Sequence, residues 1–245
     1  MLTITTTDGV AEAIVATPPQ GTGPGVLFFM DAFGLRPRVQ DMVEEIASWG
    51  YVVMAPNVFY RDGDAAEVAP QGDMTTPEGR EAFFAVAGPR IGHLTSELAE
   101  RDNDAYLAAM RALPEVTAGP VGVVGFCMGT RLAMRAAGHH PEAVAACAGF
   151  HGGGLITDAP DSPHLELATA KAEFLFGHAD NDGSLTPANA ADLGEALDAA
   201  GLTATNEVYE SAPHGYTMSD TSSWNEAAFV RAFKNLKDLY GRALS

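Results

Sequence analysis

The segment Val121-Gly-Val-Val-Gly125-Phe-Cys127-Met-Gly129 decides the reading of this chain. Residues 121–125 form a short apolar run without polar alternation, the pattern of a strand buried on both faces. The run leads into Gly-x-Cys-x-Gly. Residues 128–137 then read as a helix, with Gly138 as its stop and Pro141 beyond. A strand, a sharp turn and a helix in this order hold a nucleophile exposed at the edge of a sheet. Gly125 and Gly129 lack the Cβ atoms that would collide where strand and helix approach. Cys127 falls at the N-terminus of the helix, where the dipole favours negative charge. The N–H of Met128 is placed to donate to an oxyanion. The other cysteine, Cys147, lies in Ala-rich sequence and reads as a small buried apolar residue.

Working outward, Leu2–Thr6 and residues 10–16 read as a hairpin about Asp8-Gly9. Residues 26–30 and 51–54 read as buried strands on either side of a helix over 39–49. Residues 56–89 are rich in Gly, Pro and Asp and read as an irregular excursion with short helices. Beyond it the periodicity predicts a helix over 102–113 and strands over 143–150, 172–176 and 205–209. Helices over 187–200, capped by Thr186, and over 224–244 complete the chain. Strands alternating with helices predict an α/β fold with a mostly parallel central sheet and helices on both faces. One domain over residues 1–245 is expected, with its ligand at the carboxyl ends of the strands.

A thiol nucleophile needs a base, and the base needs an acid to orient it. Residues 174–180, Phe-Leu-Phe-Gly-His-Ala-Asp, offer Asp180 just past a strand, with Asp182 as the alternative. Residues 208–215 offer His214 after the last strand, between Pro213 and Gly215. Among the other histidines, His139 and His140 read as solvated residues at a helix end, and His93 and His164 as loop residues. His151 follows a strand and could face the pocket, although a structural hydrogen bond is the favoured reading; His178, two residues before Asp180, could line the pocket. His178, Asp180, Asp182 and His214 lack any metal-binding spacing, so neither metal nor cofactor is expected.

The charge balance narrows the partners. Fourteen basic residues face 32 acidic ones, a net charge of −18, and the lysines are only Lys171, Lys234 and Lys237. No basic stripe exists to neutralise phosphates, and an anionic membrane would repel the chain. We expect a small-molecule substrate, no nucleic acid, no membrane, and a monomer or weak homo-oligomer. The first basic residue is Arg36, so no secretory leader is expected. Two cysteines make no disulfide framework, and a cytoplasmic setting fits.

With these segments in place, the chain resembles the dienelactone hydrolase family of α/β-hydrolases over nearly its whole length. The resemblance rests on Met-Asp-Ala-Phe-Gly-Leu at 30–35, Ala-Pro-Asn-Val-Phe-Tyr-Arg at 55–61 and Gly-Phe-Cys127-Met-Gly. It also rests on Gly-His-Ala-Asp at 177–180 and His-Gly-Tyr at 214–216. It implies an α/β-hydrolase fold and a Cys127–His214–Asp180 triad that opens a lactone or ester through a thioester. It implies that Asp31 stands for the acidic residue, usually Glu, with which the family holds its resting thiol. The N–H of Ala32 would be the second oxyanion donor, and Phe33 would face the substrate. Arg61 or Arg80 would take a substrate carboxylate. Met218 stands where dienelactone-cleaving members carry a second arginine, which implies a larger or less anionic substrate. The rival readings are an acyltransferase with the same triad, a thiol redox protein with Cys127 as sensor, and a non-catalytic binding module on the same fold.

Overall fold

The computed structural model describes residues 1–244. Its framework is one eight-stranded sheet: β1 (Leu2–Thr6), β2 (Gly9–Ala16), β3 (Gly25–Phe29), β4 (Val52–Pro56), β5 (Val121–Phe126), β6 (Val144–Phe150), β7 (Glu173–Ala179) and β8 (Ala204–Tyr209). The spatial order is β1-β2-β4-β3-β5-β6-β7-β8. The β1–β2 and β2–β4 pairs are antiparallel, and every later pair is parallel. Every residue of β3, β4 and β5 is buried, as their unbroken apolar runs require. The chain order reverses about β3, which lies between β4 and β5, so a crevice opens there at the carboxyl ends of the strands.

Seven α-helices surround the sheet: α1 (Pro37–Ser48), α2 (Ala65–Val68), α3 (Pro77–His93), α4 (Ser96–Ala112), α5 (Gly129–His139), α6 (Pro187–Ala199) and α7 (Glu226–Ala243). α1 packs on β2 and β4 and α7 on β6 and β7, and Trp49 at the end of α1 meets Phe233 of α7 edge-on at 5.6 Å. α4 and α5 pack on each other and on β3 from the opposite face. No helix among the described residues is long and apolar enough to cross a membrane.

The excursion over residues 56–89 departs from the expectation, because its second half is the seventeen-residue helix α3. Thr76 caps it by accepting the Gly79 N–H at 3.1 Å, and Pro77 occupies its first turn. Only Ala87 of α3 is buried, so no apolar stripe marked it, and Pro89 lies inside it. α4 starts six residues earlier than the periodicity suggested. Its buried face carries Asp102 and Asn103, polar residues that hid the pattern. Gly138 lies within α5 rather than ending it; a Cβ there would meet Glu166 at 2.5 Å.

The joint of β5 with α5 leaves no room for a side chain at either of its glycines. A Cβ on Gly125 would lie 2.1 Å from the Gly129 carbonyl oxygen, and one on Gly129 would lie 2.4 Å from that of Phe29. Both clashes are with backbone, which has no rotamer to give. Gly125→Ala is therefore expected to destabilise the protein by about 3 kcal/mol, the upper range of overpacking. Gly92→Ala, in α3 with nothing within 4 Å of its added Cβ and no proline after it, is expected to stabilise by about 0.5–1 kcal/mol. Urea midpoints of the two variants against the parent chain measure both.

Candidate active site

The β5–α5 joint forces the residue between strand and helix into an unusual backbone conformation. Cys127 has φ 53°, in the left-handed region that residues with a Cβ seldom adopt. Its N–H donates to the Phe150 carbonyl at 3.0 Å, and its carbonyl accepts from Thr130 at 3.2 Å, so the turn is held on both sides. The half-buried sulfur is thereby raised above the sheet edge. Cys147, by contrast, is wholly buried in β6, and burial pushes its thiol pKa far up.

His214 arrives from the opposite end of the sheet. It follows β8 in a turn closed by the Tyr216 N–H to the Pro213 carbonyl at 3.0 Å, with Gly215 at φ 88°. The Tyr216 hydroxyl donates to the Gly177 carbonyl at 3.0 Å and ties this loop to β7. His214 Nε2 lies 3.1 Å from Cys127 Sγ, and its Nδ1 lies 2.6 Å from Asp182 Oδ2. The carboxylate on the imidazole is thus Asp182 and not Asp180, which corrects the expectation. β7 runs on to Ala179, and Asn181 takes φ 53°, which swings residue 182 back over the sheet. Asp180 instead accepts the Ser211 N–H at 2.9 Å. The other oxygen of Asp182 accepts from the N–H and hydroxyl of Ser184 at 2.8 and 2.7 Å, fixing the carboxylate.

Burial alone would lower the imidazole pKa. The hydrogen bonds and charges of Asp182 and Cys127 outweigh it and push His214 up to about 10. His151, at the carboxyl end of β6, is the opposite case. Burial, with His214 beside it, holds it well below the ordinary value and therefore neutral. Its Nε2 meets Thr217 Oγ1 at 2.8 Å, and its ring stands edge-on to His214 at 5.4 Å. Both readings of His151 hold: it makes a structural hydrogen bond to Thr217, and, directly after its strand, it lines the Cys127 cleft. His178 does not line that cleft. It is buried, stacked on Phe176, with Nε2 2.6 Å from Asn206 Oδ1.

The cleft at Cys127 has a volume of about 40 Å³. Residues 31–33 border it on one side, Arg80 and Phe84 of α3 on another, and His214, Met218 and Ser223 on a third. The N–H groups of Ala32 and Met128 donate to no carbonyl or side chain among the described residues. The model of the dienelactone hydrolase family matches residues 11–244 of this sequence. The chain belongs to the dienelactone hydrolase family. Membership makes it a hydrolase of esters or lactones. The "Putative carboxymethylenebutenolidase" of Synechocystis is 29% identical over 227 residues, covering 90% of this chain and 86% of that protein. The protein of the same name from Methylorubrum extorquens is 26% identical over 238 residues, covering 95% and 77%. A dienelactone hydrolase-like promiscuous phosphotriesterase from metagenomic libraries shares the fold, with TM-score 0.82 and 20% identity, covering 100% of this chain and 98% of that one.

Not every residue that the family resemblance implied reaches the cleft. Phe33, Arg80 and Met218 do. Arg61 does not: it is spent on Asp8 at 2.7 Å and Asp102 at 2.8 Å, beneath the other end of the excursion. Asp31 borders the cleft, but its carboxylate is turned to Arg36, at 2.7 and 3.0 Å, rather than to the thiol. It also caps its own turn by accepting the Phe33 N–H at 3.1 Å. The expectation that Asp31 holds the resting sulfur is corrected on this geometry, since both of its oxygens are engaged by Arg36 and the sulfur meets His214.

These placements make the imidazole titration a test. Asp182→Asn is expected to bring the His214 pKa down from about 10 towards its ordinary 6.5, and Asp180→Asn to leave it in place. Nuclear magnetic resonance titration of the ring protons reads both. Because the folded value lies above the unfolded one, the stability His214 contributes is complete below pH 6.5 and lost as the pH climbs to about 10. The stability gap between the parent chain and Asp182→Asn is expected to narrow across that window.

Proposed function

We propose that this protein hydrolyses esters or lactones through a thioester on Cys127, with His214 as proton carrier and Asp182 as the group that orients it. The observation that carries the reading is the unbroken line from Asp182 through His214 Nδ1 and Nε2 to Cys127 Sγ, with contacts of 2.6 and 3.1 Å. Asp182 selects one tautomer and steadies the ring when it is charged. The sulfur attacks the carbonyl carbon, the carbonyl π electrons move onto oxygen, and the N–H groups of Ala32 and Met128 donate hydrogen bonds to the oxyanion. As the tetrahedral adduct collapses, His214 gives its proton to the departing oxygen; in a lactone that oxygen stays attached to the acyl chain. Water then loses a proton to His214 and attacks the thioester, and the sulfur leaves. The elevated His214 pKa supports its service as the acid of the first half-reaction.

The same reading assigns Arg80 to a carboxylate on the substrate. Its guanidinium borders the cleft, and among the described residues its hydrogen-bond partners are only the hydroxyls of Ser223 at 3.0 Å and Ser222 at 3.5 Å, with no carboxylate paired to it. Phe33, Phe84 and Met218 supply the remaining lining and suit apolar substrate carbon. A substrate with one carboxylate, or none, and an apolar body matches one cation among these side chains.

Cys127→Ala is expected to abolish hydrolysis of p-nitrophenyl acetate with folding intact, and iodoacetamide to label Cys127 in the parent chain and leave Cys147 unmodified. Full activity in the alanine variant would remove the reading. Asp182→Asn is expected to lower kcat by about 10²–10⁴-fold, the cost of losing the orienting carboxylate. Arg80→Met is expected to raise KM about tenfold for a carboxylated enol lactone, the loss of one charged hydrogen bond, and to leave an uncharged aryl ester unaffected. Equal effects on both substrates would take Arg80 out of recognition.

A further inference from the structure

Arg36 is the most heavily engaged side chain near the cleft, and the hydrolytic line of Cys127, His214 and Asp182 does not use it. Its side chain is 6% exposed and lies between two carboxylates from distant parts of the chain. Nη1 and Nη2 donate to the two oxygens of Asp31 at 2.7 and 3.0 Å. Nε and Nη2 donate to the two oxygens of Asp220 at 2.6 and 3.3 Å. Nη1 also donates to the Gly34 carbonyl at 3.1 Å. The rigid guanidinium fork thus grips two planar carboxylates at once, which a lysine ammonium has no geometry to do.

The two ends of this clamp belong to the two loops that meet over Cys127. Asp31 opens the turn 31–34, which carries Ala32 at its second position and closes through the Gly34 N–H to the Asp31 carbonyl at 3.2 Å. Asp220 lies six residues beyond His214, in a loop stitched by Met218 N–H to Gly215 at 2.9 Å and Thr221 N–H to Met218 at 3.1 Å. Arg38 grips the same loop two residues later, in the first turn of α1, donating to the Thr217 carbonyl at 2.7 Å. The start of α1 is therefore fastened to both sides of the cleft. Without that fastening, the turn bearing Ala32 is held to the His214 loop by no other ion pair among the described residues.

We propose that Arg36 is a positioning residue, which sets the Ala32 N–H against the carbonyl oxygen held at Cys127 by clamping the turn 31–34 to the loop after His214. This rests on the hydrolytic reading above, in which that N–H is an oxyanion donor. A donor that drifts by a fraction of an ångström still allows substrate to bind and the sulfur to be reached; what it loses is the charge stabilisation made only in the transition state.

Arg36→Lys and Asp220→Asn separate the possibilities. Asp220 is 36% exposed in its side chain, so the asparagine variant loosens the clamp without leaving an unpaired buried charge. With p-nitrophenyl acetate, Arg36→Lys is expected to lower kcat by about 10–100-fold with KM within about twofold. Asp220→Asn is expected to lower kcat by about 3–10-fold in the same manner. Alkylation of Cys127 by iodoacetamide, which needs the sulfur but no oxyanion donor, is expected to stay within about twofold of the parent rate in both. Unchanged kcat in Asp220→Asn and Arg36→Lys overturns the proposal. So does a fall in alkylation that parallels the fall in kcat, since Arg36 would then act on the Cys127–His214 pair or on the fold as a whole. If the lysine variant does not fold, the asparagine variant decides alone. Activity persisting in Cys127→Ala would instead strike the hydrolytic reading itself, so the two failures are distinguishable.

Discussion

The contact between the backbone at Gly125 and the backbone at Gly129 is the constraint on which the site depends. A Cβ on Gly125 would strike the Gly129 carbonyl, and one on Gly129 would strike the carbonyls of Phe29 and Met30 at the end of β3, so neither position has room for a side chain. The residue between them must reverse the chain within a single step, and Cys127 takes a left-handed conformation to do so. Such a conformation costs of the order of 1–3 kcal/mol and persists only where the surroundings over-determine it. Here they do: Cys127 is hydrogen-bonded at both its N–H and its carbonyl, and the strand behind it is buried along its whole length. The strain is returned as placement, since the half-buried sulfur lines the cleft above the sheet edge.

Everything else at the cleft is charge arranged around that sulfur. His214 carries its proton because a desolvated carboxylate on one side and the sulfur on the other outweigh the penalty of burial. His151, at 5.4 Å, stays neutral because it is buried deeper and lacks a carboxylate of its own. Two imidazoles in contact thus occupy opposite protonation states, and a second positive charge beside the first is avoided. The acidic side chain nearest the sulfur in sequence logic, Asp31, is neutralised by Arg36 and leaves His214 as the sulfur's partner.

The elements with strong local signals were legible in the sequence. The Gly-x-Cys-x-Gly turn, the unbroken runs of β3, β4 and β5 and the Pro213/Gly215 turn each express a local steric demand, and residue type alone reveals such demands. What escaped the reading depends on contacts distant in sequence. The exchange of Asp180 for Asp182 follows from three extra residues of β7, 177–179, pairing with β8 and from the left-handed Asn181. The removal of Arg61 from the candidates follows from its engagement by Asp8 and Asp102, neither of which is near it in the chain. Helix α3 was missed because it buries almost nothing and so carries no periodic stripe.

That last feature has its own consequence. Helix α3 borders the cleft with Arg80 and Phe84, yet it contributes a single buried residue to the core, and Pro89 removes one of its internal hydrogen bonds. The Asp182–His214–Cys127 line is anchored in the sheet, and the cleft beside it is bordered in part by an element with little stake in it. Substrate range and stability are thereby uncoupled over this stretch: mutations along α3 can be accepted at small thermodynamic cost while they reshape the cleft. A chain built this way leaves its specificity open to change by drift and selection long before its chemistry is put at risk.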